Sequence, residues 1–433
     1  MTHRRELGKL IIGASLLARG GRGNSAYAWP NENIFEVDIS KYTHAILPRE
    51  HGQLLELNKL SATLSRRYPS REHCMQMVAF TNSREAILVI ANDETAAISD
   101  WTLYPQKKFI LKYFGVRKEP LIFNVAPNIN SIAEVYRGWA GRQFWMASSK
   151  RKNDKIDFFS VASMSDFRLE QDHFKQVRKK ITGKIAVWFT QWRRYPFDAM
   201  YPDYIPRDKA GFISLIKYLE GNNSLALPYI NSLLFDSGNK GFSSLANKIQ
   251  LKDIAGRGSH YNEQLNNLRY ACPGSDIWGR LVVTASENSC QGIDASKHGV
   301  YLDMLAAASP QFCWSSDHGH TPGDPHAWQN GLLKILSAVK GVVMVEGCAE
   351  IYLNSVDYCL AHLYTDKADG VPLWRYVYGD IEKMVGWKLS NSVTKSAFIA
   401  DNQRMSNFGL KSLYGSPWMA GVPESTLFKR LLD

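Results

Sequence analysis

A chain of 433 residues is long for one ordinary domain and suits two, and 45% hydrophobic with 21% charged residues excludes a disordered protein. The net charge of +11 comes from scattered basic residues. Its densest runs, Lys150-Arg151-Lys152 and Arg178-Lys179-Lys180, sit among no interleaved aromatics, so a solvated surface is favoured and nucleic acid is not expected as a partner. No stretch beyond the N-terminus is apolar for long enough to span a bilayer, and nothing in the sequence sets the oligomeric state.

The chain opens with Arg4-Arg5, Leu7, Lys9 and an apolar run from Leu10 to Ala18, then Ala26-Tyr27-Ala28 before Trp29. This reads as an export signal over residues 1–28 with twin-arginine character, which predicts a periplasmic or extracellular protein. The run is short and is followed by Arg19 and Arg22, so the competing reading is a basic amphipathic start that stays attached.

From residue 29 to about 175, short β-rich pieces recur: Ile34 to Val37, Met77 to Phe80, Ala86 to Ile90, Phe109 to Phe114 and Leu121 to Val125. Turn residues such as Asn92-Asp93 and Pro127-Asn128 separate them, the pattern of an antiparallel β-sandwich. No catalytic residue is expected there. The charged stretch from Asp166 to Lys180 suits a linking helix.

Over residues 176–433 the texture becomes one of alternating strand and helix. Ile185 to Phe189 is a buried-strand run; Phe212, Leu215, Ile216 and Leu219 keep helical spacing; Leu225 to Phe235 is strand-like again. Such alternation predicts a parallel sheet, and the fold expected overall is an N-terminal antiparallel β-sandwich followed by a (β/α)8 TIM barrel.

Two apolar runs end in carboxylates: Gly299-Val300-Tyr301-Leu302-Asp303 and Val342-Val343-Met344-Val345-Glu346. Barrel enzymes carry their chemistry at strand ends, and two acids on neighbouring strands are what glycosidic cleavage requires. Asp303 is the candidate nucleophile, the competing reading being a helix N-cap. Glu346 is the candidate acid/base, because burial after an apolar strand raises a carboxyl pKa. Glu350 follows as a rival acid/base and substrate ligand.

Trp188, Gln191, Trp192, Arg193 and Asp198 cluster after the first barrel strand, and Tyr229, Asn231 and Asp236 close the second. These groups offer aromatic platforms and hydrogen-bonding partners for a carbohydrate, though the first set can equally cap the barrel. Cys272-Pro273 begins a loop after a third strand. His318 and His320 stand in a Gly/Pro-rich loop with Asp317, a spacing compatible with zinc, but binding of sugar hydroxyls is preferred and neither metal nor cofactor is expected. The six cysteines contain no CxxC pair, which argues against a zinc ribbon or thioredoxin-type site, and Cys348 and Cys359 lie in apolar surroundings that favour inert thiols. No G-x-S-x-G elbow is present for a serine hydrolase.

The ordered series Trp188…Gln191-Trp192-Arg193, Phe197-Asp198, Tyr201-Pro202-Asp203-Tyr204, Pro228-Tyr229-Ile230-Asn231, Asp236, Cys272-Pro273, Asp303, His318-Gly319-His320 and Glu346-Gly347…Glu350 resembles a bacterial family of glycoside-hydrolase-like barrels defined by a domain of unknown function. The resemblance covers roughly residues 183–378. It implies a (β/α)8 barrel distantly similar to the α-amylase and α-galactosidase type, with Asp303 as nucleophile on the fourth strand and Glu346 as acid/base on the fifth. That arrangement implies retention of configuration. The expected function is therefore a retaining glycoside hydrolase acting on an oligo- or polysaccharide. The alternatives are a non-catalytic carbohydrate-binding barrel and a metal-dependent hydrolase built on Asp317, His318 and His320.

Overall fold

The computed structural model describes residues 32–115, 119–146, 156–162, 166–179, 182–262, 267–289, 293–362, 369–379, 384–386, 403 and 405–415. The expected export signal lies outside them, as do Cys290 and the Lys150-Arg151-Lys152 run. No described helix is long and apolar enough to cross a membrane.

Nine strands come first: β1 (Glu32–Asp38), β2 (His44–Leu47), β3 (Gln53–Glu56), β4 (Leu64–Tyr68), β5 (Met77–Thr81), β6 (Ala86–Ile90), β7 (Ser99–Tyr104), β8 (Lys108–Phe114) and β9 (Leu121–Val125). They form two antiparallel sheets, ordered β1-β8-β7-β4 and β3-β2-β5-β6-β9. In β7 alternate residues Ser99, Trp101 and Leu103 are buried, the period of two that one covered face demands. The sheets meet through aromatic contacts, with the Phe80 ring 5.2 Å from that of Phe109. Helix α1 (Ile129–Ala140) follows, capped by the Asn128 side chain, which accepts from the Ser131 N–H. Its helical periodicity interrupts a region expected to be purely β.

The second part alternates: β10 (Phe158–Ala162), α2 (Phe167–Arg178), β11 (Ile185–Phe189), α3 (Lys209–Gly221), β12 (Ser224–Asn231), β13 (Leu234–Asp236), α4 (Ala246–Ile249), β14 (Leu268–Tyr270), α5 (Asp276–Ser289), β15 (Gly299–Asp303), α6 (Ala327–Ala338), β16 (Val342–Glu346), β17 (Tyr358–Ala361), α7 (Leu373–Tyr378), β18 (Met384–Gly386) and β19 (Lys411–Gly415). Eight of these strands curl into one parallel sheet, β10-β11-β12-β15-β16-β17-β18-β19, and β19 pairs back onto β10. β11 and β12 are buried along their whole length, as strands covered on both faces must be.

Three details depart from the expectation. β10 lies before the expected boundary at residue 176 and pairs in parallel with β11, so the curled sheet begins earlier. The helical layer of a full (β/α)8 arrangement is incomplete among the described residues: β16 and β17 are joined through a single 3-10 turn, Glu350–Tyr352. β14, counted as a barrel strand from the sequence, pairs instead with β13 in a separate antiparallel ribbon. One strand missed and one counted in error cancel, so Asp303 still ends the fourth strand of the sheet in chain order.

Candidate functional site

Register sets the site. In parallel pairing, residues opposite one another point to the same face of the sheet. Tyr229 is opposite Tyr301, and Asn231 is opposite Asp303. Leu302 is opposite Val345, so the next residues along, Asp303 and Glu346, stand level on neighbouring strands, and Glu346 is in turn opposite Leu360. His362, two residues past Leu360, falls on the same side as Glu346.

Asp303 is held by its neighbours on β12. Its Oδ2 accepts from the Tyr229 hydroxyl at 2.9 Å and from Asn231 Nδ2 at 3.1 Å. The Asn231 amide is fixed because its Oδ1 accepts from the N–H groups of Leu233 and Leu234. The Tyr229 hydroxyl is in turn 2.8 Å from that of Tyr201. Burial, reinforced by the nearby Glu346 carboxylate, pushes the Asp303 carboxyl well above the usual range, against the opposing pull of the Tyr229 hydrogen bond.

Glu346 is held from three sides. Its Oε2 accepts from the Met304 N–H at 2.8 Å, and its Oε1 lies 2.6 Å from His362 Nε2 and 3.7 Å from Arg71 Nη1. The chain turns sharply after Asp303, with Met304 at φ +64°, and this aims both the Met304 and the Ala306 N–H at Glu346, the latter at its main-chain oxygen. Burial pushes the Glu346 carboxyl up, but His362, Arg71 and the Met304 N–H more than offset it and leave it below the usual range. The rise expected from the apolar strand alone is therefore reversed, because the sequence before Glu346 does not reveal its cationic partners. Of the two neighbouring carboxyl groups, Asp303 is therefore the one that takes up a proton more readily in the unliganded protein.

The remaining predicted residues separate into three groups. Asp198, at φ +56° and exposed, stands at the edge of the cleft: partial desolvation raises its carboxyl, and its charge acts on Asp303. Gln191 is half-buried just past β11. Trp188 lies beneath the site, its ring 4.3 Å from that of Tyr301, as part of the packed interior of the curled sheet.

Trp192, Arg193, Asp236 and Glu350 are engaged elsewhere. Trp192 is fully buried and donates from Nε1 to the Tyr229 carbonyl. The buried Arg193 donates to the carbonyls of Pro196, Ala199 and Asp203 and stacks over Tyr201, so it builds the loop rather than facing a ligand. Asp236 accepts from the N–H groups of Met200 and Gly238. Glu350 is fully buried where β4, β5, α1 and α7 converge, and accepts from Tyr136, Tyr378 and the Gln76 N–H. It is a structural carboxylate, neither acid/base nor substrate ligand. Arg375, at α7, likewise donates to the carbonyls of Ser406 and Asn407 rather than to a carboxylate.

His318 and His320 do not face the carboxylate pair. They meet Cys272 and Cys313, with Cys313 Sγ 3.3 Å from His318 Nδ1 and Cys272 Sγ 3.3 Å from His320 Nε2. Asp317 is exposed and is not part of this group. Cys348 and Cys359 are buried, in keeping with inert thiols.

Two site residues escaped the sequence reading. His362 follows the apolar run Tyr358–Ala361, the same signal that marked Asp303 and Glu346. Arg71 comes from the connection between β4 and β5, so the N-terminal region, in which no catalytic residue is expected, supplies a charge to the site. Nothing local in the sequence marks it.

Residues 126–389, more than half of the chain, match the family described as a domain of unknown function, DUF6259. Two relatives carry the name "Putative glycoside hydrolase". One, from Bacteroides thetaiotaomicron, is 24% identical over 73% of this chain and 51% of its own length. The other, from Monosiga brevicollis, is 26% identical over 42% of this chain and 17% of its own length. The chain thus spans about half of the first relative and a smaller part of the second. Among solved structures, the alpha-N-acetylgalactosaminidase of Bifidobacterium bifidum superposes with a TM-score of 0.64 at 13% identity, over 78% of this chain and 65% of that one. An alpha-galactosidase from Thermus thermophilus superposes with a TM-score of 0.58 at 12% identity, over 92% and 88%. At these identities the likeness is one of fold. With more than half of its length matched, the chain belongs to the DUF6259 family, a glycoside-hydrolase-like family of mixed α and β architecture.

Proposed function

We propose that this protein is a retaining glycoside hydrolase whose curled sheet works as a (β/α)8-type barrel, acting on terminal α-linked galactose or N-acetylgalactosamine in an oligo- or polysaccharide. The observation that carries the reading is the pair Asp303 and Glu346 on adjacent strand ends, each oriented by its own partners and electrostatically linked. The family and the glycosidase neighbours support the substrate class. Export from the cytoplasm, suggested by the first 28 residues, suits a polysaccharide substrate.

In the proposed reaction, Asp303 attacks the anomeric carbon as the bond to the leaving oxygen breaks. Glu346 gives its proton to that oxygen. Water then enters, Glu346 takes its proton, and hydroxide attack on the anomeric carbon releases Asp303. Tyr229 and Asn231 tie one Asp303 oxygen down and keep the carboxylate aimed. The proton of the unliganded pair has to pass to Glu346. A glycosidic oxygen accepting from Glu346, with positive charge building opposite Asp303, favours that transfer.

The low position of Glu346 supports a second reading with the roles exchanged. A 2-deoxy-2-fluoro α-galactosyl fluoride distinguishes them, since it traps the covalent intermediate for peptide mapping. The expected adduct is on Asp303, with turnover of aryl α-galactosides falling about a thousandfold or more in Asp303→Asn. An adduct on Glu346 exchanges the roles. Glycan binding unaffected by Asp303→Asn, with no turnover by the wild type of any α-galactoside or α-N-acetylgalactosaminide, would instead favour a carbohydrate-binding barrel.

A further inference from the structure

The long connection between β15 and α6, residues 304–326, contains no regular secondary structure, yet Cys313 and His318 within it are buried. Loops of this length need something to order them. Some of the order comes from the main chain: the Trp314 N–H donates to Lys252, the Gly323 N–H to Cys313, and the Ile98 N–H to Pro325. None of these bonds explains why two thiols and two imidazoles converge beneath the loop.

One ligand atom from each of Cys272, Cys313, His318 and His320 lies within 4.8 Å of all the others. Bond lengths of about 2.3 Å to sulfur and 2.0–2.1 Å to nitrogen place the S···N edges of a tetrahedral zinc site at about 3.6 Å. The two observed S···N separations are both 3.3 Å, so little movement is needed. Supporting contacts agree. His320 Nδ1 lies 2.9 Å from the Thr321 carbonyl, which can only accept, so Nδ1 carries the proton and Nε2 is left free to ligate. Gly274, next to Cys272-Pro273, has no side chain where a Cβ would lie 2.6 Å from the His320 ring, so this glycine lets the imidazole reach the sulfur.

We infer that Cys272, Cys313, His318 and His320 form a structural Zn2+ site that pins the loop following Asp303 to the segment following β14. The set is closed, with two sulfurs and two nitrogens, and contains no carboxylate, which selects zinc over calcium or magnesium. A closed set leaves no position for an activated water, so the ion orders the loop and takes no part in the chemistry. The site differs from the histidine–carboxylate grouping suggested by the local sequence, since Asp317 is outside it and Cys272 comes from a distant segment.

The test is elemental analysis of the full chain, purified in zinc-containing medium without chelator, with wild type beside Cys313→Ser and Asp317→Asn. Wild type and Asp317→Asn should each carry about one zinc per chain, and Cys313→Ser less than about a tenth of that. Should Cys313→Ser not fold, wild type stripped of metal and reloaded with Co2+ should show the visible bands of a tetrahedral ion and a near-ultraviolet thiolate charge-transfer band. Loss of zinc in Asp317→Asn overturns the ligand set. Wild type without zinc that takes up no Co2+ overturns the site. A Cys272–Cys313 disulfide found by peptide mapping of the denatured, unreduced chain also overturns it.

Discussion

Glu350→Gln isolates a single buried carboxyl and predicts how stability depends on pH. Burial raises the Glu350 carboxyl from an ordinary 4.5 to about 7, against the lowering effect of the hydrogen bonds from Tyr378, Tyr136 and the Gln76 N–H. A folded-state pKa above the unfolded one means that the folded protein holds the proton more tightly. The stabilisation is complete below about pH 4.5 and is lost as pH rises through about 7. Integrating the two titrations gives a loss of about 2.5 kcal/mol between pH 5 and pH 8. Glutamine stays neutral, so this loss is absent from the variant, while the raised Glu50 carboxyl, which acts in the same direction, is common to both proteins. Urea unfolding at pH 5, 6, 7 and 8 should show the variant gaining on wild type by about 2.5 kcal/mol over the series. Parallel curves at all four pH values would refute the claim that Glu350 is protonated in the fold, and a wild type that gains on the variant as pH rises would reverse its sign.

Three further outcomes follow from the site. Tyr229→Phe removes a hydrogen bond that lowers the Asp303 carboxyl, so its pKa should rise; Asp303 is the higher of the pair in the unliganded enzyme, so the alkaline limb of the kcat/KM profile on an aryl α-galactoside should move to higher pH, and an unmoved limb would break the link. His362→Ala removes the largest of the effects that lower Glu346, so the Glu346 pKa should rise; Glu346 is the lower of the pair in the unliganded enzyme, so the acidic limb of the same kcat/KM profile should move to higher pH, and an unmoved acidic limb would break the link between His362 and Glu346. Arg193→Ala leaves the carbonyls of Pro196, Ala199 and Asp203 without the buried guanidinium that ties them together and should cost about 3 kcal/mol in urea unfolding; a loss under about 0.5 kcal/mol would mean that the loop stands without it.

The strand ends were legible because burial on both faces leaves unbroken apolar runs, and a carboxylate closing such a run stands out. Tyr229 and Asn231 could be chosen for the same reason, as alternate residues at the end of β12. Arg193 and Trp192 misled because composition cannot distinguish an arginine that faces a ligand from one that satisfies its own loop. The six carbonyl and ring contacts that engage Arg193 all come from residues 196–204, so its role is local although its type suggested recognition. Arg71 and the Cys272–Cys313 pairing were hidden for the opposite reason: each joins segments far apart in sequence, and only the closed topology brings them together. The pKa of Glu346 shows the same limit, since its neighbours on the strand are apolar and its cationic neighbours are not on the strand at all.

The position of Glu350 also bears on how the chain is made. Tyr136 and the Gln76 N–H are synthesised 214 and 274 residues before the carboxylate they bind. During translation the N-terminal sheets and α1 therefore leave the ribosome with these donors facing a cavity that has nothing to fill it. An expression fragment ending near residue 146 keeps that defect permanently. Native order in the first part of the protein is completed only when Glu350, late in the second part, has emerged, so chaperone dependence should be greatest in that interval.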